Sequence, residues 1–338
     1  MSARGARSVL FLSSDLVGST SFKQKTRGWQ KIFLSFYREL PQMIAEANRE
    51  IDETTESVFH LWKAVGDELV FEVEIASEAD VSRAVRVWLR AMAMYEDQVL
   101  SDRGLALKGG AFIATFPGPD SESTIPRKPE IEDSDGAVVL LNKQALTGTR
   151  AYTKYLYDYF GPSIDTGFRL FGLSSRRYFT MSIETAWAMA AAARTADTHR
   201  QGEDIHYMSD FVFHGSHLLK GVWDGREYPV FAIDREQGDP IHKALAGIGG
   251  GPLTSDQVID LCHACASDES WPFALYLPSS DNEKFTAVPE DAMAELYASE
   301  TSMDGAETEP ENGNGDGLDA TPPLGGQDVE SATASVSE

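Results

Sequence analysis

The sequence predicts an α+β fold in which an antiparallel-rich sheet carries helices packed on it. Its first elements follow the order strand, helix, hairpin, helix, strand, which differs from the regular strand–helix alternation of a parallel sheet. Two apolar runs meet at a Gly-Asp turn, residues 66–67, which is typical of a β-hairpin. The sequence contains neither of the two common glycine-rich nucleotide loops, G-x-x-x-x-G-K-S/T and G-x-G-x-x-G.

Apolar runs and their periods predict the first elements. Residues 9–12 (Val-Leu-Phe-Leu) predict a buried strand. Residues 21–48 repeat apolar side chains at helical spacing, and Pro41 inside them predicts a kink. The apolar runs 57–65 and 69–73 predict the two strands of the hairpin.

The middle of the chain combines a strong helix with an irregular insertion. Residues 77–100 predict an amphipathic helix with Ser77 as its N-cap, and residues 105–116 predict a strand. Residues 117–136 are dense in Pro, Asp, Glu and Ser and predict a long loop. Five aromatic residues then fall within 152–160, where they either pack in the core or fill space beside a ligand.

The later elements are shorter. Residues 164–177 predict a helix, 178–183 a short strand and 185–195 an alanine-rich helix. Residues 217–233 predict a closing hairpin around the Gly225 turn.

Composition divides the chain into three regions. We expect a main domain over residues 8–234, a small appended region over 235–296 and an acidic disordered tail over 297–338. The tail is rich in Gly, Pro, Ser and Thr and poor in bulky apolar residues, so it cannot bury enough surface to fold.

The charge of the chain limits its partners. The net charge is −24, and the last 39 residues contribute ten acidic side chains with no Lys or Arg, so the remaining sequence is still acidic. DNA would be repelled, and we expect no nucleic-acid partner. No apolar run approaches the roughly 18–20 residues of a membrane span, and the first apolar run is too short for a signal peptide. We therefore expect a cytoplasmic protein without a membrane partner.

The two cysteines, Cys262 and Cys265, form a C-x-x-C pair. A zinc site would need two more ligands at suitable spacing, and none is obvious nearby. The helical pattern around the pair favours structural thiols over redox or metal chemistry.

Asp15 is the first candidate for chemistry. It follows the predicted strand 9–12 and precedes a turn of small residues, 16–20, whose backbone amides can hold a phosphate while the carboxylate holds a divalent cation. Asp67 lies at the tip of the predicted hairpin. If the first strand lies beside that hairpin, both carboxylates reach one edge of the sheet and form a two-metal site. The alternative for each is a solvated turn residue.

Four motifs resemble those of the class III nucleotide cyclases. Residues 15–20 (Asp-Leu-Val-Gly-Ser-Thr) and 63–68 (Lys-Ala-Val-Gly-Asp-Glu) resemble the pair of metal motifs. Residues 158–169 resemble the segment that carries a base-reading residue, a glycine and, further on, an arginine. Residues 219–231 resemble the late hairpin with a phosphate-binding lysine. The motifs occur in the family's order, and the resemblance spans residues 8–234.

The resemblance implies a fold, an assembly and a reaction. The fold would be a ferredoxin-like palm, and two copies would form a head-to-tail homodimer with active sites shared across the interface. The 3′-oxygen of a nucleoside triphosphate would attack its own α-phosphate and release pyrophosphate.

The resemblance also implies roles for individual residues. Asp15 and Asp67 would bind two Mn²⁺ or Mg²⁺ ions, with the Leu16 carbonyl as a further ligand. The substrate would contact a set of residues in the metal-binding half and a base-reading pair: Phe11, Gly18, Ser19, Thr20, Lys63 and Asp158. The catalytic set would be Arg169, Asp165 and Lys220. From the second subunit, Arg169 would stabilise charge on the α-phosphate and Lys220 would hold the terminal phosphates.

Two departures from the family bear on the base. Asp165 stands where a ribose-orienting Asn is usual, and the insertion 117–136 precedes the aromatic segment 152–160. These features are most similar to the bacterial Pycsar pyrimidine cyclases, which make cyclic UMP or cyclic CMP. The resemblance implies a pyrimidine cyclase, with uridylate favoured over cytidylate, whose cyclic nucleotide activates a downstream effector in anti-phage defence. Lys63 and Asp158 instead resemble the base-reading pair of adenylate cyclases. The alternatives are therefore an adenylate cyclase, a degenerate nucleotide-binding module without turnover, and a two-metal hydrolase with monophosphate products.

Overall fold

A computed structural model describes residues 5–51, 57–132, 135–196, 208–236, 238–242, 244 and 253–307. The strands are β1 Arg7–Val17, β2 His60–Val65, β3 Glu68–Ile75, β4 Ala106–Lys108, β5 Gly110–Phe116, β6 Ser121–Pro126, β7 Tyr155–Phe160, β8 Tyr178–Met181, β9 Phe211–Leu218 and β10 Glu227–Asp234. The helices are α1 Ser19–Lys25, α2 Gln30–Ile51, α3 Glu78–Tyr95, α4 Val138–Leu146, α5 Pro162–Gly172, α6 Ile183–Ala196, α7 Ser255–Ala266 and α8 Ala294–Glu307.

The central sheet has the strand order β2-β3-β1-β5-β8-β10-β9, with β4 added beside β1. All of its neighbouring strands are antiparallel except β5 and β8, which run parallel. A second sheet within the described residues joins β6 and β7. The predicted α+β class with an antiparallel-rich sheet and helices packed on it is confirmed.

The two faces of the central sheet follow from the alternation of side chains along β1. Leu10, Leu12 and Leu16 point to one face, here called the covered face, where α2, α3 and α6 pack. Phe11 and Val9 point to the other, here called the site face, which carries α5 and β7. The covered face is mainly apolar, whereas the alternate positions of β1 on the site face end in Asp15.

Capping fixes the main helix of the covered face. The Ser77 hydroxyl accepts the Asp80 amide at 3.3 Å, and the Asp80 carboxylate accepts the Ser77 amide at 2.9 Å, which forms a capping box. The predicted N-cap is thus the observed one. A π-helical turn, Glu96–Leu100, continues α3 to the predicted end.

Some element boundaries differ from the predictions. The predicted helix 21–48 is two helices, because Thr26 is extended at the end of α1 and Gly28 has a φ of +74°. The predicted strand 105–116 is interrupted at Gly109, where a Cβ atom would lie 1.9 Å from the Ser13 carbonyl oxygen. The predicted loop 117–136 contains strand β6, which pairs with the aromatic strand β7.

The C-terminal segment packs on the main sheet. Val258, Cys262 and Cys265 of α7 and Phe285 belong to the same buried cluster as the covered face. The Ser279 amide donates to the Ala76 carbonyl at 2.8 Å. Helix α8, Ala294–Glu307, extends into the region predicted as a disordered tail, so that prediction is wrong for residues 297–307, and residues 308–338 lie outside the described residues. In the described residues, no helix has the length and apolar character needed to cross a membrane.

Candidate active site

Strand register brings the two metal-site aspartates to one end of the sheet. Asp15 lies near the end of β1 and pairs with Glu68, the first residue of β3. The Leu16 amide donates to the Asp67 carbonyl at 3.3 Å. The turn before Asp67 needs Gly66, whose φ of +63° is unfavourable for other residues. Because β1 and the β2–β3 hairpin are neighbours, the hairpin tip and the end of β1 meet.

Two lysines that the sequence analysis did not identify lie on these carboxylates. Lys108 Nζ of β4 is 3.1 Å from Asp15 Oδ2, and Lys23 Nζ of α1 is 3.9 Å from Asp67 Oδ1. All four side chains are partly exposed, so water screens their charges and the two ion pairs contribute little to the stability of the fold. The pattern that could have revealed Lys108 is its place in a short strand followed by a glycine pair, which alone is a weak signal.

A third carboxylate, Glu68, follows Asp67 in the chain and pairs with Asp15 across the strands. It accepts a hydrogen bond from the Ser13 hydroxyl. Burial raises the pKa of Glu68 above its usual value, the Ser13 hydrogen bond opposes that rise, and the neighbouring charges of Asp15 and Asp67 add to it. The end of β1 is therefore rich in negative charge and favours a cation.

The donor set fits a divalent ion that keeps several non-protein ligands. Asp15 and Asp67 offer carboxylate oxygens, which Mg²⁺ and Mn²⁺ prefer. Among the described residues, no group of three or more His, Cys, Asp or Glu side chains forms a protein-only metal cage. An ion held by two carboxylates completes its shell with water and substrate phosphates, as is usual for Mg²⁺.

The turn after Asp15 is compact. Gly18 has a φ of +83° and precedes α1, whose first residues are the buried Ser19 and the exposed Thr20. Leu16 is buried and pairs with Leu107 of β4. Phe11 was also predicted to line the triphosphate, but its side chain is completely buried. Phe11 is a packing residue.

The predicted base-reading pair is joined by an ion pair. Lys63 Nζ of β2 lies 2.9 Å from Asp158 Oδ1 of β7. The same carboxylate oxygen accepts the Trp62 indole N–H at 3.1 Å. Lys63 Nζ also lies 4.4 Å from the Trp62 ring centroid and 5.8 Å from that of Phe168. One donor and one acceptor are thus held side by side among large rings.

An aromatic layer supports this pair. The Trp62 ring centroid is 4.7 Å from that of Phe11 and 5.4 Å from that of Tyr159. Phe112 stacks on the other side of Phe11, with ring centroids 4.9 Å apart. Tyr159, from the predicted aromatic segment, is therefore a core residue, whereas Tyr152 is exposed.

Helix α5 carries Asp165 and Arg169 on the site face. Asp165 is exposed, and its carbonyl accepts the Arg169 guanidinium one helical turn later at 2.5 Å. Gly167 lets the helix lie directly on the sheet, since a Cβ atom there would be 2.1 Å from the Phe112 ring. The helix position is therefore set by close packing.

Asp120, inside the predicted loop, fixes the start of α5. Its buried carboxylate accepts the Ser163 amide at 2.9 Å, near the positive end of the helix. Burial raises the pKa of Asp120 to about 6, although these amide hydrogen bonds oppose the rise. Gly161 makes room, because a Cβ atom there would lie 2.3 Å from Asp120 Oδ1.

Lys220 lies far from the aspartates in the same chain. It is exposed in the turn after β9, which is the last strand of the sheet. Strand β5 runs antiparallel to β1 and therefore away from the Asp15 end of the sheet, and β8 runs parallel to β5. Strand β10 is antiparallel to β8 and β9 is antiparallel to β10, so β9 also runs away from the Asp15 end. The turn after β9 therefore lies at the opposite end of the sheet. One chain therefore does not bring Lys220 to the metal-site residues.

Comparison with known proteins gives only structural matches. No protein-family model matches the chain, and no curated protein matches it. The matched solved structures include the adenylyl cyclase CyaB from P. aeruginosa, with 13% identity over 68% of this chain and 94% of that chain at a TM-score of 0.44. The guanylyl cyclase Cya2 has 15% identity over 68% and 93%, at 0.42. The guanylate cyclase domain of RhGC from Catenaria anguillulae, in complex with GTP, has 11% identity over 67% and 96%, at 0.42.

Proposed function

We propose that this protein is a nucleotide cyclase that converts a pyrimidine nucleoside triphosphate, with UTP favoured, to its 3′,5′-cyclic monophosphate. In the reaction the 3′-oxygen bonds to the α-phosphorus, the bond from that phosphorus to the leaving pyrophosphate breaks, and the 3′-hydroxyl loses its proton. The observation that carries the proposal is the meeting of Asp15 and Asp67 at the end of β1. Bound there, two divalent ions would lower the pKa of the 3′-hydroxyl and offset phosphate charge.

The chain's own cations have defined tasks in this proposal. Lys108 and Lys23 neutralise Asp15 and Asp67, and ions on those carboxylates would free both ammonium groups for the phosphates. Arg169 provides a planar, permanent charge suited to a phosphoryl group. Asp120 positions that arginine by fixing the start of its helix.

The sheet geometry supports the proposal of a site shared between two copies. Lys220 lies at the end of the sheet opposite Asp15, so a single chain lacks that phosphate contact. A head-to-tail second copy reverses the sheet direction and carries its Lys220 toward the first copy's Asp15. This geometry supports the proposed homodimer, in which Arg169 and Lys220 act on the substrate held by the other copy.

The base-reading pair supports two substrates. Lys63 donates and Asp158 accepts, which matches the carbonyl oxygen and N–H group of uracil and equally the ring nitrogen and amino group of adenine. The Trp62 and Phe168 rings beside Lys63 reduce the available space, which favours the smaller base. An adenylate cyclase is therefore the second candidate, supported by the same ion pair. In the pyrimidine case, the implied role is synthesis of an anti-phage messenger read by a downstream effector.

The direct test uses purified protein with each of the four nucleoside triphosphates and Mn²⁺, with products identified by mass spectrometry. We expect cyclic UMP, and loss of product in Asp67→Ala. The matched control is Asp260→Ala, an exposed residue of α7, which packs against α6 on the covered face. Cyclic AMP as sole product rejects the pyrimidine assignment, and linear monophosphates reject the cyclase.

A further inference from the structure

A cleft of about 840 Å³ lies outside the proposed active site, between the β6–β7 sheet and the β2–β3 edge of the central sheet. This volume is within the ~300–1,000 Å³ range of small-molecule sites. Within the described residues, its lining includes none of the residues assigned to the metals or phosphates, nor Lys63 or Asp158. The cleft is therefore a separate surface of the molecule.

The wall formed by the β6–β7 sheet and the segment before β7 combines arginines with tyrosines. Arg127 is exposed, and its Nε donates to the Tyr152 carbonyl at 2.8 Å. The Tyr152 and Tyr157 rings meet edge to face at 5.2 Å between centroids. The Arg150 guanidinium lies 4.8 Å from the Tyr157 centroid and binds Glu122 at 3.0 Å. These contacts hold planar cations and aromatic faces side by side.

The charge of the lining differs from that of the whole chain. Four arginines and three acidic residues line the cleft, although the protein carries a net charge of −24. Arg is suited to phosphate recognition, and aromatic rings stack on bases and on Arg. A phosphate-bearing aromatic ligand therefore fits this wall better than an uncharged one.

The opposite wall carries carboxylates beside Arg7 and Arg83, and these carboxylates limit the ligand's charge. Glu72 and Glu74 of β3 line it, and Glu74 is largely exposed. Glu72 accepts a hydrogen bond from Tyr159, whose pKa is raised to about 12 by burial and by that carboxylate, so the hydroxyl remains a donor. A free carboxylate oxygen can accept ribose hydroxyls but repels additional phosphates. A triphosphate or a nucleic acid fits poorly.

We propose that this cleft binds one nucleoside monophosphate, with its phosphate on Arg127 and Arg150, its base against Tyr152, and its ribose hydroxyls toward Glu74. The site is distinct from the proposed catalytic site, and its assignment does not depend on cyclase activity. Its inner wall includes Trp62 and Tyr159, the rings that also support Lys63 and Asp158. An occupant would therefore contact the layer behind the base-reading pair.

The test is equilibrium dialysis of the full chain with UMP and with AMP in EDTA, which removes the divalent ions that the proposed active site would use to hold a phosphate. We expect saturable binding of one equivalent per chain that weakens at least tenfold in Arg127→Gln and in Tyr152→Ala. Both side chains are exposed, so neither change should prevent folding. Lys128→Gln, an exposed neighbour outside the lining, and Arg169→Ala in the proposed active site should each retain affinity within twofold.

Three results would overturn the proposal. These are the absence of UMP and AMP binding, loss of binding in Arg169→Ala with Arg127→Gln intact, and inorganic phosphate competing as strongly as UMP. The last result would reduce the cleft to a simple anion site. Failure of the cyclase assay leaves these dialysis results unchanged, so the two proposals fail separately.

Discussion

The covered face and the site face of the central sheet begin from the same strand but differ in chemistry. On the covered face, Leu10 and Leu12 are completely buried under helices α2, α3 and α6. On the site face, the alternate positions of β1 end in Asp15, whose side chain is 25% exposed beside Lys108. The covered face of β1 therefore contributes mainly to stability, whereas the site face ends in charged groups. Substitutions on the covered face should change the free energy of unfolding, and substitutions of the charged groups should change turnover.

The largest expected effect is on the site face. Asp67→Ala should lower cyclase turnover by about 10³-fold, because it removes a ligand of the ions that would offset charge on the phosphates in the transition state. The melting temperature should change little, since Asp67 is partly exposed and its ion pair with Lys23 is long, at 3.9 Å. Product formation measured by mass spectrometry and unfolding measured by circular dichroism separate the two effects. A folded Asp67→Ala variant with unchanged turnover contradicts the proposed function.

A substitution on the covered face should do the reverse. Trp88 is completely buried, and its indole N–H donates to the Ser13 carbonyl at 3.1 Å. Trp88→Ala should reduce the free energy of unfolding by ~3–5 kcal/mol, because it leaves a cavity and an unpaired carbonyl. Denaturant unfolding measures the change. Leu34→Ala, on the exposed side of α2, is the control and should change that free energy far less.

Mixing two inactive variants tests whether the site face is completed by a second copy. Asp67→Ala and Arg169→Ala should each be inactive alone, and refolding them together should restore about a quarter of the wild-type turnover, since half of the dimers would carry one intact site of two. Turnover that stays at the level of the separate variants would show that each chain uses its own Arg169. A Glu130→Ala partner, changed at an exposed position, serves as the mixing control.

The smallest effect concerns an acid on the covered face. Glu184 of α6 is buried, one of its oxygens has no hydrogen-bond partner, and burial raises its pKa to about 7. Because the folded state holds this proton more tightly than the unfolded state, ionisation costs stability as the pH rises from about 4.5 through 7. Glu184→Gln should therefore raise the melting temperature at pH 8, with a smaller difference at pH 5. An equal difference at both pH values would reject this explanation.

Features set by neighbouring residues were predicted correctly from the sequence, whereas features that depend on contacts between distant segments were missed. The hairpin around Gly66 and the cap at Ser77 were predictable because their determinants lie within a few residues. Strand β6 was missed because its Pro-rich, polar sequence forms a strand only through pairing with β7, about 35 residues later. Lys108 and Asp120 were missed for the same reason, since Lys108 contacts Asp15 and Asp120 contacts Ser163 across long stretches of chain.

Apolar periodicity and turn chemistry are local, so they were enough to predict the α+β class, the strand that ends near Asp15 and the turn that carries Asp67. Tertiary structure alone decided that β1 pairs with β3 in the register that opposes Asp15 to Glu68, and that Phe11 is a core residue rather than a ligand contact. It also decided that Lys220 lies at the opposite end of the sheet. Strand order and register depend on which distant side chains pack together, and a linear pattern does not specify that choice.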